Sequence, residues 1–211
     1  MADENTTLGI APETAGNSLP NALDFLIRQG IKGFVNTALP VIVIKTEAGG
    51  TGGAAGYVDI KPLICQTDAV GNILPPAVIY HVPYFRLQSG IAAVVIDPVP
   101  GDIGLAVFAQ SDSSALPQKA SAPVQPGSWR CYDQADAFYI GGFINKPPSA
   151  WIEITQAGVI NIKAAGGVNI DSPDVKITGD TTIDGDMTSN GISYVNHIHT
   201  GVHGDTSPPH L

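Results

Sequence analysis

Between Trp151 and Met187 the chain repeats a pattern that a single copy cannot fold by itself. Ile152, Ile154, Ile160, Ile162, Ala164, Val168 and Ile170 share one parity. Pro173 breaks the phase, and Val175, Ile177, Thr181, Ile183 and Met187 continue on the other. Alternation of period two is the mark of a strand with one apolar face. Glycine recurs at Gly158, Gly166, Gly167, Gly179, Gly185 and Gly191, so the strands are short and the turns frequent, as in β-helical or solenoid material. No aromatic residue occurs after Trp151 until Tyr194, and the inward side chains are Ile and Val with Ala and Thr. One copy has too little apolar surface to close a core. Three copies wound about one axis supply that core and pair every open strand edge with another chain. The pattern therefore predicts an intertwined homotrimer rather than a monomeric sheet. Six acids against two lysines between Trp151 and Asn190 would decorate its outside.

Behind this run the chain ends in His197-Ile-His-Thr-Gly-Val-His-Gly-Asp-Thr-Ser-Pro-Pro-His-Leu211, which holds four of the five histidines. His197 and His199 are two apart, so on a strand both imidazoles leave the same face. One chain offers two ligands; three chains at an axis offer six, enough for an octahedron. Six nitrogens favour iron, nickel or cobalt over tetrahedral zinc. His203 and His210 fall outside the two-residue register and are not assigned to this shell. Small and rigid residues from Gly204 to Pro209 can taper a chain to a point, and Met187–Gly191 and Asn196 are placed to turn strands into it.

The N-terminal part reads differently. Residues 1–18 are polar and are expected to be a flexible tail, or to be ordered only by a partner. Ser18 before Leu19-Pro20 is a helix start, and Leu19, Leu23, Leu26, Ile27 and Ile31 follow at helical spacing, with a stop near Gly30. The apolar stripe needs a partner, either its own domain or another subunit. From Gly33 to Ile144 the pattern is β. Strands are predicted at Leu39–Lys45, Tyr57–Cys65, Ala77–Leu87, Ile91–Asp97 and Ile103–Phe108, with Phe138–Ile144 closing or extending the set. Five short strands with a long first hairpin predict a small Greek-key barrel of the OB type. Lys146-Pro-Pro-Ser-Ala150 marks its end, since two prolines cannot continue a ladder.

Other features carry less. Gly49–Gly56 has the glycines of a phosphate loop but runs into strand-like Tyr57-Val-Asp-Ile-Lys61 instead of a helix, so it reads as a flexible hairpin loop. His81, alone in an apolar strand, reads as structural, and Cys65 and Cys131 as buried free thiols. Net charge −9 without a Lys/Arg cluster argues against nucleic acid. No nucleophile elbow, HExxH, EF-hand loop or CxxC pair occurs, so no catalytic residue is assigned, and neither an enzyme nor a small-molecule substrate is expected. No 18-residue apolar run is present, and the acidic start Met1-Ala-Asp-Glu4 lacks a secretory n-region; folding in a cytoplasm is the expectation.

With these pieces in this order, the chain resembles the central spike proteins of contractile-tailed bacteriophages, in particular the short-spike family with an N-terminal OB domain. The residues that carry the resemblance are Asp24-Phe-Leu-Ile-Arg-Gln-Gly-Ile-Lys-Gly33, Pro98-Val-Pro-Gly-Asp-Ile-Gly-Leu105, and Asn196-His-Ile-His-Thr200 with the Gly, Asp and Ser/Pro-rich end after it. The resemblance implies an all-β homotrimer: a flexible tail over 1–18, a helix and OB domain over 19–150, a triple-stranded β-helical shaft over 151–191, and a metal-binding tip over 192–211. It implies one iron ion per trimer, held by His197 and His199 of each chain. It also implies a place in the virion, at the centre of the tail baseplate beneath the tube, after assembly in the host cytoplasm. A tail-hub protein is the expected partner at the N-terminal end, contacted through the helix and a barrel face, and the host outer membrane is the target pierced by the tip. A spike of a contractile injection system or tailocin fits the same residues. A histidine metalloenzyme would need an open coordination position, and an adhesin would need exposed aromatics at the tip beyond Tyr194.

Overall fold

The computed structural model describes residues 16, 18–67, 71–116 and 122–207. The tail expected over 1–18 therefore lies almost wholly outside the described residues. The chain is mostly β with one α-helix, and it divides into two compact units, Met1–Pro147 and Pro148–Leu211.

The first unit opens with helix α1, Leu19–Phe34. The Ser18 side chain accepts from the Asn21 N–H, and Pro20 stands in the first turn, where its missing donor costs nothing. Contrary to the expected stop near Gly30, the helix continues through Gly30 and Gly33 to Phe34, and the Val35 N–H closes the last turn on the Ile31 carbonyl. Glycine weakens a helix without ending it when nothing downstream offers a better conformation.

Five strands follow in one antiparallel sheet: β1 Ala38–Glu47, β2 Tyr57–Pro62, β3 Ile79–Pro83, β4 Ile103–Phe108 and β5 Ala137–Gly141. Their order across the sheet is β3-β2-β1-β4-β5. The sheet curls until its two edges meet: Tyr84 and Tyr139 form a parallel bridge, and the Phe85 N–H donates to the Tyr139 carbonyl at 2.8 Å. Alternate residues point into the curl. Val41, Val43, Val58, Ile60, Val82, Ala106 and Tyr139 are all 2% exposed or less. Gly104 is required here, because a Cβ at that position would sit 2.4 Å from the Tyr139 ring. Burial, with Asp102 nearby, pushes the Tyr139 phenol up to about 12, so it stays protonated, and its buried hydroxyl has no hydrogen-bond partner.

Two predicted strands change role. Ile91–Asp97 does not enter this sheet; only Ala92–Val94 is paired, with Leu87–Ser89, as a separate small hairpin. The fifth place belongs to β5, from the region read as an optional extension. Pro62 ends β2 before Cys65, and both Cys65 and Cys131 are exposed free thiols, not buried ones. The turn at Val99–Asp102 has Pro100 followed by Gly101 at φ 97, and the Val99 N–H donates to the Asp102 carboxylate at 2.9 Å, a type II arrangement that launches β4. His81 is not enclosed in its strand. It sits at a bulge with φ 56, its N–H donating to Asp59 Oδ1, while its ring stacks on Tyr57 at 3.7 Å between centroids.

The Gly49–Gly56 loop is held down rather than free. The Arg86 guanidinium, 3% exposed, donates to the Gly53 carbonyl at 2.8 Å and the Gly50 carbonyl at 3.4 Å, and pairs with Asp97 at 3.1 Å. The Tyr84 hydroxyl donates to Asp97 and accepts from the Gly49 N–H. The Tyr84 hydroxyl, with the Arg86 guanidinium, holds the Asp97 carboxyl below the usual range against its partial desolvation.

The second unit has one sizeable hairpin, β6 Trp151–Ile154 with β7 Ile160–Lys163, in the register Ile152↔Ile162 and Ile154↔Ile160. From 164 to 187 the backbone forms no strand, and turns with positive φ fall at Gly167, Gly179 and Gly185. No described residue of this unit is buried. Ile152, Ile154, Ile170 and Ile177 are between 69% and 74% exposed.

Candidate metal centre

Two short hairpins frame the histidine pair. Thr188–Ser189 pairs with Ile192–Ser193 across Asn190 (φ 49) and Gly191 (φ 81), the backbone a type I′ turn demands. Thr200–Gly201 pairs with Gly204–Asp205, with His203 in the turn between them. His197 and His199 lie on the connection between the hairpins.

That connection is anchored at several points. The His197 N–H donates to the Ser193 carbonyl, and the His199 N–H donates to the Thr206 hydroxyl at 2.9 Å, while the Thr206 N–H returns to the His199 carbonyl. Asp186 accepts from the Val195 N–H at 3.2 Å, and Ser193, ahead of that amide, holds its carboxyl below the usual range. The histidine segment is thereby tied back to Asp186 within one chain.

The ring geometry bears on ligation. His197 Nδ1 lies 2.9 Å from the Tyr194 carbonyl and 3.2 Å from that of Ser193. Carbonyls only accept, so Nδ1 carries the proton and the Nε2 lone pair is left available, the arrangement that orients metal-binding imidazoles. The His197 and His199 rings are 5.1 Å apart between centroids and nearly perpendicular. Imidazole nitrogens bind ions such as zinc at about 2.0–2.1 Å, so the two rings are close enough to be neighbours in one coordination shell. Two imidazoles suit a borderline transition-metal cation such as iron, nickel or zinc better than a hard, oxygen-seeking one. One chain supplies only these two: among the described residues no group of three or more His, Cys, Asp or Glu could hold a metal. His203 is exposed in its hairpin turn, and His210 lies outside the described residues.

Sequence reasoning missed the supports. Asn190-Gly191 is a legible hairpin signal, and Ser193 four residues before His197 is not, because a backbone carbonyl leaves no mark in side-chain pattern. The buried cluster in the first unit was missed too. There Arg130 bridges Asp112 at 3.0 Å and Asp136 at 3.4 Å, and both carboxylates are buried. It ties the segment after β4 to the short 3-10 turn Gln134–Asp136 ahead of β5, which is a structural task. Compared with known proteins, the chain matches no protein-family model and no curated sequence.

Proposed function

We propose that this protein is the trimeric central spike of a contractile phage tail baseplate, a structural virion component with no catalytic role. The observation that carries the reading is the second unit: its apolar residues keep strand-like alternation, none of those described is buried in one chain, and two neighbouring imidazoles follow near its end. Soluble monomers rarely leave so long an apolar row open; a row of this kind marks an interface. Winding three copies together covers it and brings six imidazoles to one point.

The first unit fits a partly open Greek-key barrel of the OB type, since its five strands follow the order β3-β2-β1-β4-β5 and its edges touch through Tyr84 and Tyr139. It serves as the base that seats the spike on a tail-hub protein. When bound, an iron ion supplies only cross-linking of three C-termini. The work of the chain is mechanical: interchain backbone pairing and a narrow core stiffen the shaft, and the Ser193, Tyr194 and Thr206 contacts hold both rings in position for the push through the host outer membrane.

Light scattering and elemental analysis of one purified fraction test this. The expected particle has about three times the 21.8 kDa mass of one chain, with one iron per particle. A metal-free monomer removes the reading and returns the C-terminus to a solvated tail. In the variant carrying both His197→Ala and His199→Ala, the metal is expected to vanish while the particle mass stays, because the shaft carries most of the burial.

A further inference from the structure

Helix α1 presents an apolar face that its own chain leaves open. Leu19, Leu23, Leu26, Ile27, Ile31 and Phe34 are between 50% and 79% exposed. At 100° per residue they fill one continuous arc of roughly 140°, wider than the narrow seam of a two-helix contact. Ala22, Phe25 and Gln29, on the adjoining face, are half-buried. A helix of 16 residues with two internal glycines is marginal in water on its own, so the open arc needs a cover.

We infer that α1 is a second, separate trimerisation element: three copies pack as a parallel bundle through this arc. The inference rests on the trimeric reading of the shaft and extends it to the other end of the chain. Three observations favour a second copy over a foreign partner. Each helix of a three-helix bundle faces two neighbours, which a broad arc satisfies and a single docked partner does not. Leu19, Leu23, Leu26, Gly30 and Gly33 follow the four-three spacing of a heptad seam, and a parallel symmetric bundle sets each of them against itself without placing a charge in the core. Asp24 borders the arc beside Ile31 and is neutralised at 2.8 Å by Arg28, which lies outside it, so the arc presents no net charge to a foreign surface. The base of the helix is also fixed: Asn36, two residues past its end, donates to the Tyr132 carbonyl through Nδ2 at 2.8 Å and through its N–H at 3.3 Å. Barrels held around one axis therefore hold three helix bases in fixed places.

The test uses the full chain with Cys65→Ser and Cys131→Ser, adding Leu23→Cys or Leu26→Cys within the arc, or Arg28→Cys opposite it. Each is exposed to a mild oxidant at low protein concentration, with particle mass measured before and after. The expected result is a trimer in which covalent dimer forms at least tenfold faster at positions 23 and 26 than at 28, with no growth of the particle. A trimer with equal rates at all three positions overturns the inference and leaves the spike reading intact, the arc then belonging to another protein. Fast cross-linking that joins separate particles overturns it as well. A monomer overturns both this inference and the trimeric reading beneath it.

Discussion

The two units solve the burial problem in opposite ways. Among the described residues of 19–147 eleven apolar side chains are buried in the core of the curled sheet, and the polar groups that go with them, Arg86, Asp112 and Asp136, find partners nearby. In residues 148–207 the same kinds of side chain, Ile and Val at alternate positions, are all open. The difference is not hydrophobicity. It is the number of strands that one chain can bring to the same place. Five strands with turns between them curl around a shared core; a β6–β7 hairpin followed by 24 residues without strand pairing has no second layer to cover it. A one-chain unit and a many-chain unit can thus carry the same strand pattern.

The sharpest way to break this comparison is to place charge on the open row. Ile152 and Ile162 are directly opposed on β6 and β7. If the row is an interface, converting both to Asp puts like charges into an interchain core, and the trimer is expected to dissociate outright, read as a fall in mass to one chain. If the row faces water as it does in a single chain, neither mass nor stability moves, and the many-chain account of this unit fails.

A milder pair of variants sharpens it. Ile60, fully buried in the first unit, is expected to cost about 2–5 kcal/mol when cut to Ala, through lost burial and a residual cavity. Ile177, 69% exposed in one chain, would cost less than about 0.5 kcal/mol if that exposure persists in solution. In the trimer its truncation is expected to approach the Ile60 value. Denaturant unfolding of the two variants side by side measures the ratio, and a ratio near that of a surface site argues against a shared core.

What the sequence made legible follows the same division. Alternation at Val41 and Val43 and at Val58 and Ile60 announced the strands of the curled sheet, because one face of each is buried by other strands of the same chain. The run Ile91–Asp97 misled because six consecutive apolar residues look the same in a barrel strand and in a side hairpin; only pairing with Leu87–Ser89 separates them. Arg86 was invisible for a related reason. Its partners are the carbonyls of Gly50 and Gly53, more than thirty residues away, and no side-chain pattern predicts where a guanidinium will find backbone oxygens. Near the C-terminus the two-residue spacing of His197 and His199 was legible, while the carbonyls that orient His197 were not.

The smallest expected effect concerns how the self-sufficient unit responds to acid, a property the open unit does not share to the same degree. The Ser114 and Ser128 hydroxyls and the Ser114 N–H donate to the Asp112 carboxylate, Arg130 adds its charge, and together they hold the group far below the usual carboxylate range. A depressed folded-state value means that the unfolded chain binds the proton more readily. The stability this adds is therefore complete above the unfolded value of about 3.9 and drains away as pH falls below it toward the folded value. Asp112→Asn removes the charge while keeping much of the shape. It is expected to lower stability modestly at neutral pH and to flatten the loss between pH 4 and pH 2, so that wild type and variant converge in acid. Thermal unfolding of the first unit followed across that range checks the slope. Curves that stay parallel would show that the serines and Arg130 hold the protonated and ionised forms of Asp112 equally well, and that this corner of the barrel is fixed by packing instead of charge.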